Sequence, residues 1–181
     1  MTYFSTSCLR QQFIYGSTED FHWEIPESAW DKLKLKNNGL YLVEGIGALT
    51  VQIGEDSEDV RHNLGHPKRR SFETYDELYF ERRTFSGTVY LFHGKVVKIR
   101  LIVNDHNFKV VQWRTALGLD FESFSDKTVD EAMNFILTHY DTPQHLRKKN
   151  GLIIHSRGIS FFWSSNKLSY IEIYKPWDNY N

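Results

Sequence analysis

Two histidines four residues apart, His62 and His66, have the spacing that sets two imidazoles on one helical face, an arrangement that can hold zinc. Gly65 and Pro67 end any helix at that point, and no adjacent glutamate completes a metalloprotease pattern, so the pair reads as surface histidines. The other histidines, at 22, 93, 106, 139, 145 and 155, stand singly, and neither a metal nor a cofactor is expected. Cys8 is the lone cysteine and no signature of a reactive thiol surrounds it. Gly45-Ile46-Gly47 lacks the third glycine and the lysine of a phosphate loop and reads as a turn between strands. Glu55-Asp56 with Glu58-Asp59 resembles a carboxylate cluster, but capping and the dipole of a helix N-terminus account for it. No catalytic residue is assigned, and an enzyme is not expected.

The residues best suited to recognition are aromatic and charged side chains interleaved along strands. Tyr90, Phe92, Lys98 and Arg100 form one set, and Phe162, Tyr170, Glu172 and Tyr174 a second, with Trp113 and Arg114 extending them from a neighbouring strand. Tyr, Trp and Arg supply most hot spots of protein interfaces, so an open face of this kind is a protein-binding surface. Two other outcomes stay open: the N-terminal segment or the C-terminal tail covers the face, or the rings line a concave pocket for a small molecule or lipid. Two short basic runs, Pro67-Lys68-Arg69-Arg70 and Arg147-Lys148-Lys149, read as solvated loop charge. A contact to an acidic partner or to RNA is their sharper alternative.

Hairpins must position these side chains. The segment 87–93 leads through Gly94-Lys95 into 96–102, and 158–163 leads through 164–167 into 168–174. Alternation puts Val89, Leu91, Ile99, Leu101, Ile159, Phe161, Ile171 and Ile173 in the core, which turns the recognition set to the opposite face. A short helix precedes each hairpin. The first follows Asp56, carries Val60 and Leu64 on one face, and stops at Gly65 and Pro67. In the second, Thr128 and Glu131 form a capping box, and the chain leaves the helix at Asp141-Thr142-Pro143. Ala132 and Ile136 stand in the places of Val60 and Leu64, 72 residues on in each case (132 − 60 and 136 − 64).

This recurrence predicts an α+β fold of two tandem helix-plus-antiparallel-meander units, with the helices packed on one face of a sheet. The expected divisions are an N-terminal segment over 1–50, a first unit over 51–117, a second over 118–175 and a tail over 176–181, within one globular body. Further strands are expected at 11–15, 40–43, 48–53, 75–85, 108–114 and 151–155, with a short helix from Pro26 to Leu33.

Composition narrows the classes. In 181 residues, 22 Lys and Arg face 23 Asp and Glu for a net charge of −1, which disfavours a dedicated nucleic-acid binder. A hydrophobic share of 40% allows a substantial core, and an aromatic share of 15% suits a β-rich binding protein. One cysteine permits no internal disulfide, the N-terminus lacks the pattern of an export signal, and no apolar run approaches a membrane span. A cytoplasmic location is expected.

The string Gly54-x-Asp56-x-x-Asp59-Val60-x-x-x-Leu64-Gly65-x-Pro67 resembles the opening of the repeat unit found in the β-lactamase inhibitor protein family and in SmpA/OmlA-type outer-membrane lipoproteins. Two such units look more like the inhibitor arrangement. Without an export signal, a lipid-anchor cysteine or disulfides, the resemblance implies a cytoplasmic toxin-immunity protein of contact-dependent or type VI secretion systems. Such a protein forms a 1:1 complex with its cognate toxin and blocks it by occlusion.

Overall fold

The computed structural model describes residues 40–48, 51–65, 67–81, 86–102, 113–115, 117–142 and 145–176. Cys8, His22, His66 and His106 lie outside these, as do the expected strand at 11–15, the expected helix from Pro26 to Leu33 and residues 177–181. In chain order the elements are β1 (Leu40–Val43), β2 (Gly47–Ala48), β3 (Val51–Gln52), α1 (Ser57–Leu64), β4 (Lys68–Ser71), β5 (Asp76–Glu81), β6 (Ser86–Phe92), β7 (Lys95–Ile102) and β8 (Trp113–Thr115). Then follow α2 (Glu122–Ser125), α3 (Val129–Tyr140), β9 (Leu146–Lys148), β10 (Gly151–Ile154), a 3-10 turn at His155–Arg157, β11 (Ile159–Ser164) and β12 (Lys167–Tyr174).

The expected α+β class with two helix-plus-meander units is corrected. The described residues are mostly β: eight strands form one antiparallel sheet in the order β4-β5-β6-β7-β12-β11-β10-β9. A smaller sheet, β3-β2-β1-β8, holds β8 parallel to β1. The described helices are few and short beside this strand content. Local periodicity detects each hairpin but not the pairing of β7 with β12, which joins everything into one continuous sheet. It also misreads the basic runs as loops. Most of the first run lies in β4 and most of the second in β9, the two edges of the large sheet. All four residues of β4 and all three of β9 are exposed. Charge on an edge strand keeps its unpaired backbone groups from recruiting another strand.

The core lies between the large sheet and the elements that cover one face of it. Val89, Leu91, Ile99, Leu101, Ile159, Phe161, Ile171 and Ile173 all point inward, none more than 2% exposed. Val60 and Leu64 of α1, Ala132, Met133 and Ile136 of α3, and Leu42, Ala48 and Val51 of the small sheet belong to the same cluster. Each Val, Leu, Ile, Phe or Met side chain so removed from water stabilises the fold by roughly 1.5–3 kcal/mol before chain entropy is counted.

Local chemistry sets the helix limits. In α3 the Thr128 hydroxyl accepts from the Glu131 amide at 3.4 Å, and the Glu131 carboxylate accepts from the Thr128 amide at 3.0 Å. Its far end is fastened by the Tyr140 hydroxyl, which donates to Glu44 at 2.8 Å beside the β1–β2 turn. Asp56 precedes α1 as expected, yet its carboxylate bonds Lys95 Nζ at 2.7 Å instead of a helix amide. Glu55 accepts from the Gln52 amide and from Asn63 Nδ2, both at 2.8 Å, and Glu58 pairs with Arg61. Most of the acidic run is thereby structural.

Both long hairpins turn on two left-handed residues. These are His93-Gly94, one position before the expected pair, with φ of 49° and 76°, and Ser165-Asn166, with φ of 50° and 65°. Consecutive positive φ angles match the right-handed twist of the flanking strands. Gly158, at φ 62°, opens β11 where the backbones of Tyr174, Gly45 and Pro176 converge. Gly94, at φ 76°, has open space around its missing Cβ. Gly94→Ala is expected to cost about 1–2 kcal/mol, the strain of a left-handed residue alone. Gly158→Ala is expected to cost clearly more, because its methyl meets backbone that cannot move aside. Urea denaturation of both variants checks the ordering; equal losses would mean that this junction yields.

Candidate functional site

Two irregularities in register decide which side chains share the second face of the large sheet. In β6–β7 the pairing steps from Tyr90↔Lys98 to Leu91↔Val96, so Val97 is the extra residue and Val96 and Ile99 both reach the core. Val97 and Lys98 then both turn outward, away from the helices. In β11–β12 the pairing steps from Phe162↔Tyr170 to Trp163↔Leu168, which leaves Ser169 extra and resets the phase again. Between these points the register across β6, β7, β12 and β11 is regular: Thr88↔Arg100↔Glu172↔Ser160.

The result is a ladder of rings and cations that crosses the sheet. Phe72 stacks on Tyr75 at 4.7 Å between centroids, and Tyr75 lies 6.2 Å from Tyr90. The Arg100 guanidinium sits over Tyr90 at 5.2 Å and over Tyr170 at 4.8 Å. Tyr170 stacks on Phe162 at 4.5 Å. The Phe162 ring in turn covers Gly151, where a Cβ would come within 3.0 Å of it. Tyr75, Tyr90, Arg100, Tyr170 and Phe162 are each half-buried, and Phe72 is exposed. A cation between aromatic faces gains from the ring quadrupoles, about 0.5–2 kcal/mol per contact according to its exposure.

Beneath the ladder lies an ion cluster. Glu172 Oε1 accepts from Arg100 Nη2 at 2.7 Å and Nε at 2.9 Å, and Lys98 Nζ stands 3.3 Å from the same oxygen. Lys98 is 3% exposed, with its ammonium 4.3 Å from the centre of the Tyr90 ring. Burial draws the Lys98 ammonium below its ordinary value, with Glu172 opposing. Arg100, although burial works against its charge, is held above its ordinary value by Glu172. Burial pushes the phenols of Tyr90 and Tyr170 upward, so both remain neutral donors at physiological pH.

The expected recognition set divides accordingly. Tyr90, Arg100, Phe162 and Tyr170 are brought together as one half-buried row, and Phe92 sits edge-on to His93 at one end of the face. Lys98, Glu172 and Tyr174 are corrected from exposed contacts to buried supports. Their shared sheet face does not keep them in water, since Lys98 and Glu172 lie beneath larger neighbours and the Tyr174 hydroxyl is 2.9 Å from Ser160 Oγ. Trp113 and Arg114 are also corrected: they belong to β8, which pairs with β1 in the small sheet instead of extending the large one. Their side chains lie outside the described residues. Phe72 and Tyr75 were missed by alternation because they flank the β4–β5 turn, closed by a bond from the Phe72 amide to the Tyr75 carbonyl at 2.9 Å. Two aromatic residues on either side of Glu73-Thr74 were the available signal.

Among the histidines, His62 is exposed, His139 contacts the Leu117 carbonyl at 3.2 Å, and His155 is buried near Tyr174. Among the described residues no three His, Cys, Asp or Glu side chains gather as a metal site, and no helix is long and apolar enough to cross a membrane.

No protein-family model matches the sequence, and no curated protein matches it. Among solved structures, a cysteine-rich secretory protein from Staphylococcus aureus aligns at 10% identity with a TM-score of 0.37. The alignment covers 68% of this chain and 44% of that one, less than half of its length. At that TM-score the likeness carries no argument about fold or function.

The ion cluster generates a prediction of opposite signs. Glu172→Gln leaves two cations without their carboxylate and is expected to cost about 3–5 kcal/mol. Lys98→Met removes the more deeply buried cation while Arg100 still satisfies Glu172, so stability is expected to hold or rise. Because the folded-state Lys98 pKa lies below the unfolded one, the unfolded chain binds more protons between the two values. Stability therefore rises with pH across that window, which ends near the ordinary 10.5, and Lys98→Met abolishes the rise. Chemical denaturation across pH reads both effects; a Lys98→Met variant as damaged as Glu172→Gln would overturn this account of the cluster.

Proposed function

We propose that this chain is a cytoplasmic immunity protein, without catalytic activity of its own, that binds a cognate bacterial toxin 1:1 and blocks it by steric occlusion. The observation that carries the reading is the ladder from Phe72 through Tyr90, Arg100 and Tyr170 to Phe162. Apart from exposed Phe72 its rings are half-buried, and the row is packed ring on ring and ring on cation over a continuous sheet, so docking would cost it little further side-chain entropy. Tyr and Arg in such a setting are the residues from which interface hot spots are made. The motif from Gly54 to Pro67, with its resemblance to the inhibitor family, supplies the inhibitory sense of the reading, and the lone cysteine supplies the reducing compartment.

Occlusion asks only for a rigid surface of sufficient extent. Eight strands at a spacing of about 4.8 Å make a face roughly 34 Å across, enough for a standard protein interface. Co-expression with the product of the neighbouring gene is expected to rescue growth and to yield a stable 1:1 complex on size-exclusion chromatography. Combining Tyr170→Ala with Arg100→Ala is expected to weaken that complex by about two to three powers of ten, the scale of two lost hot spots. The absence of both rescue and co-purification would defeat the immunity reading. A bound small molecule in native mass spectrometry, with no protein partner, would replace it by a ligand-binding role for the same face.

A further inference from the structure

We infer that the partner surface received by this face is acidic, and that Arg100, clasped between Tyr90 and Tyr170, donates to a carboxylate on it. The inference deepens the toxin-binding reading and rests on it.

The first ground is the distribution of charge. Register assigns Lys68, Arg70, Lys98, Arg100 and Lys148 to the ladder face, leaving aside Lys167 and also Lys95, which is paired with Asp56. The carboxylates on the same strand positions are Glu77, Glu81 and Glu172. Five cations thus face three carboxylates here, while the whole chain carries −1. Basic side chains stand at both borders, on β4 and β9, and in the centre on β7. A face of this polarity steers and orients an acidic partner, and disfavours a basic one.

The second ground is the valence of Arg100. Its Nε and Nη2 both donate to one oxygen of Glu172, which also faces Lys98. Two cations therefore share one carboxylate oxygen, and the Nη1 edge of Arg100 has no partner among the described residues. The Arg100 side chain is 33% exposed. The guanidinium is already oriented by Glu172 and by both rings, and an incoming carboxylate would complete its donors without reorganisation.

The third ground separates protein from nucleic acid. Single-stranded RNA binds sheet faces by stacking bases on free aromatic faces. Here Phe162 and Tyr170 already stack at 19° between planes, Phe72 and Tyr75 at 17°, and Arg100 lies over both Tyr90 and Tyr170. Two of the exposed large hydrophobic residues, Phe72 and Leu146, stand at opposite borders of the face, where the apolar contacts of a protein partner would fall.

Three short fluorescent probes test this: poly-glutamate, poly-lysine and poly-uridine RNA, titrated by anisotropy at low salt. Poly-glutamate is expected to bind, with an affinity that falls as salt rises, and the other two to bind at least about tenfold more weakly. Arg100→Gln is expected to weaken poly-glutamate binding about tenfold. Lys68→Gln with Arg70→Gln, both at an exposed edge where folding is not at risk, is expected to weaken it about threefold while circular dichroism stays unchanged. No poly-glutamate binding, or binding that both variants leave untouched, overturns the inference, as does tighter binding of poly-uridine. Should Arg100→Gln not fold, the edge variant decides the matter. The two readings fail separately. A toxin complex formed through a basic partner surface defeats the acidic chemistry and spares the immunity role, whereas poly-glutamate binding without any toxin partner does the reverse.

Discussion

The pairing of β7 with β12 holds the molecule together. Ile99 meets Ile173 and Leu101 meets Ile171 on its inner side, while Arg100 meets Glu172 on its outer side. One antiparallel seam thus closes the core and creates the ion cluster at once. On the inner side the gain is hydrophobic, from four aliphatic chains removed entirely from water. On the outer side the cross-strand pair is ionic and directional, and a slip by one residue would drive Arg100 and Glu172 into the apolar core. Such a shifted register is disfavoured, because a charge left unpaired in the core costs more than the paired cluster does.

The two register shifts matter as much as the pairing itself. Regular alternation along β7 would send either Val96 or Ile99 away from the core. The extra residue at Val97 lets both point inward and places Lys98 next to Tyr90. The shift at Ser169 has the converse effect: Leu168 packs against the core while Tyr170 stays in the outer row. The Tyr90–Arg100–Tyr170–Phe162 row lies between the two shifts, where four adjacent strands keep one phase. The small sheet and the helices occupy the inner face alone, which leaves the outer face as the only broad surface of the large sheet that no described element covers.

Order along the edges follows a different logic. A sheet of eight strands has two edges, and in this chain both are short and basic. Arg69 pairs with Asp76 at 2.6 Å, and Arg147 with Asp130 at 2.7 Å, so part of that charge is tied to the protein's own carboxylates on the inner side. Lys68, Arg70 and Lys148 alternate with them and point to the ladder side. The same residues thus discourage edge-to-edge pairing and colour the outer face positive.

The sequence by itself determined the local features. The capping box at Thr128 and Glu131, the left-handed stop at Gly65, the two long hairpins and the inward set from Val89 to Ile173 all rest on contacts between residues close along the chain, and they read directly from spacing. The recognition row was half legible for the same reason: alternation names Tyr90, Arg100, Phe162 and Tyr170 as sharing a face but does not say how deeply each is covered. Only the tertiary structure decided that β7 and β12 adjoin, that Lys98, Glu172 and Tyr174 are buried, that Phe72 and Tyr75 extend the row, and that β8 belongs to another sheet. Those outcomes depend on pairings such as Arg100 with Glu172, 72 residues apart. A pattern of neighbours along the chain carries no information about which distant strand will supply the partner, since that is settled by which arrangement buries the most apolar surface while leaving no charge alone.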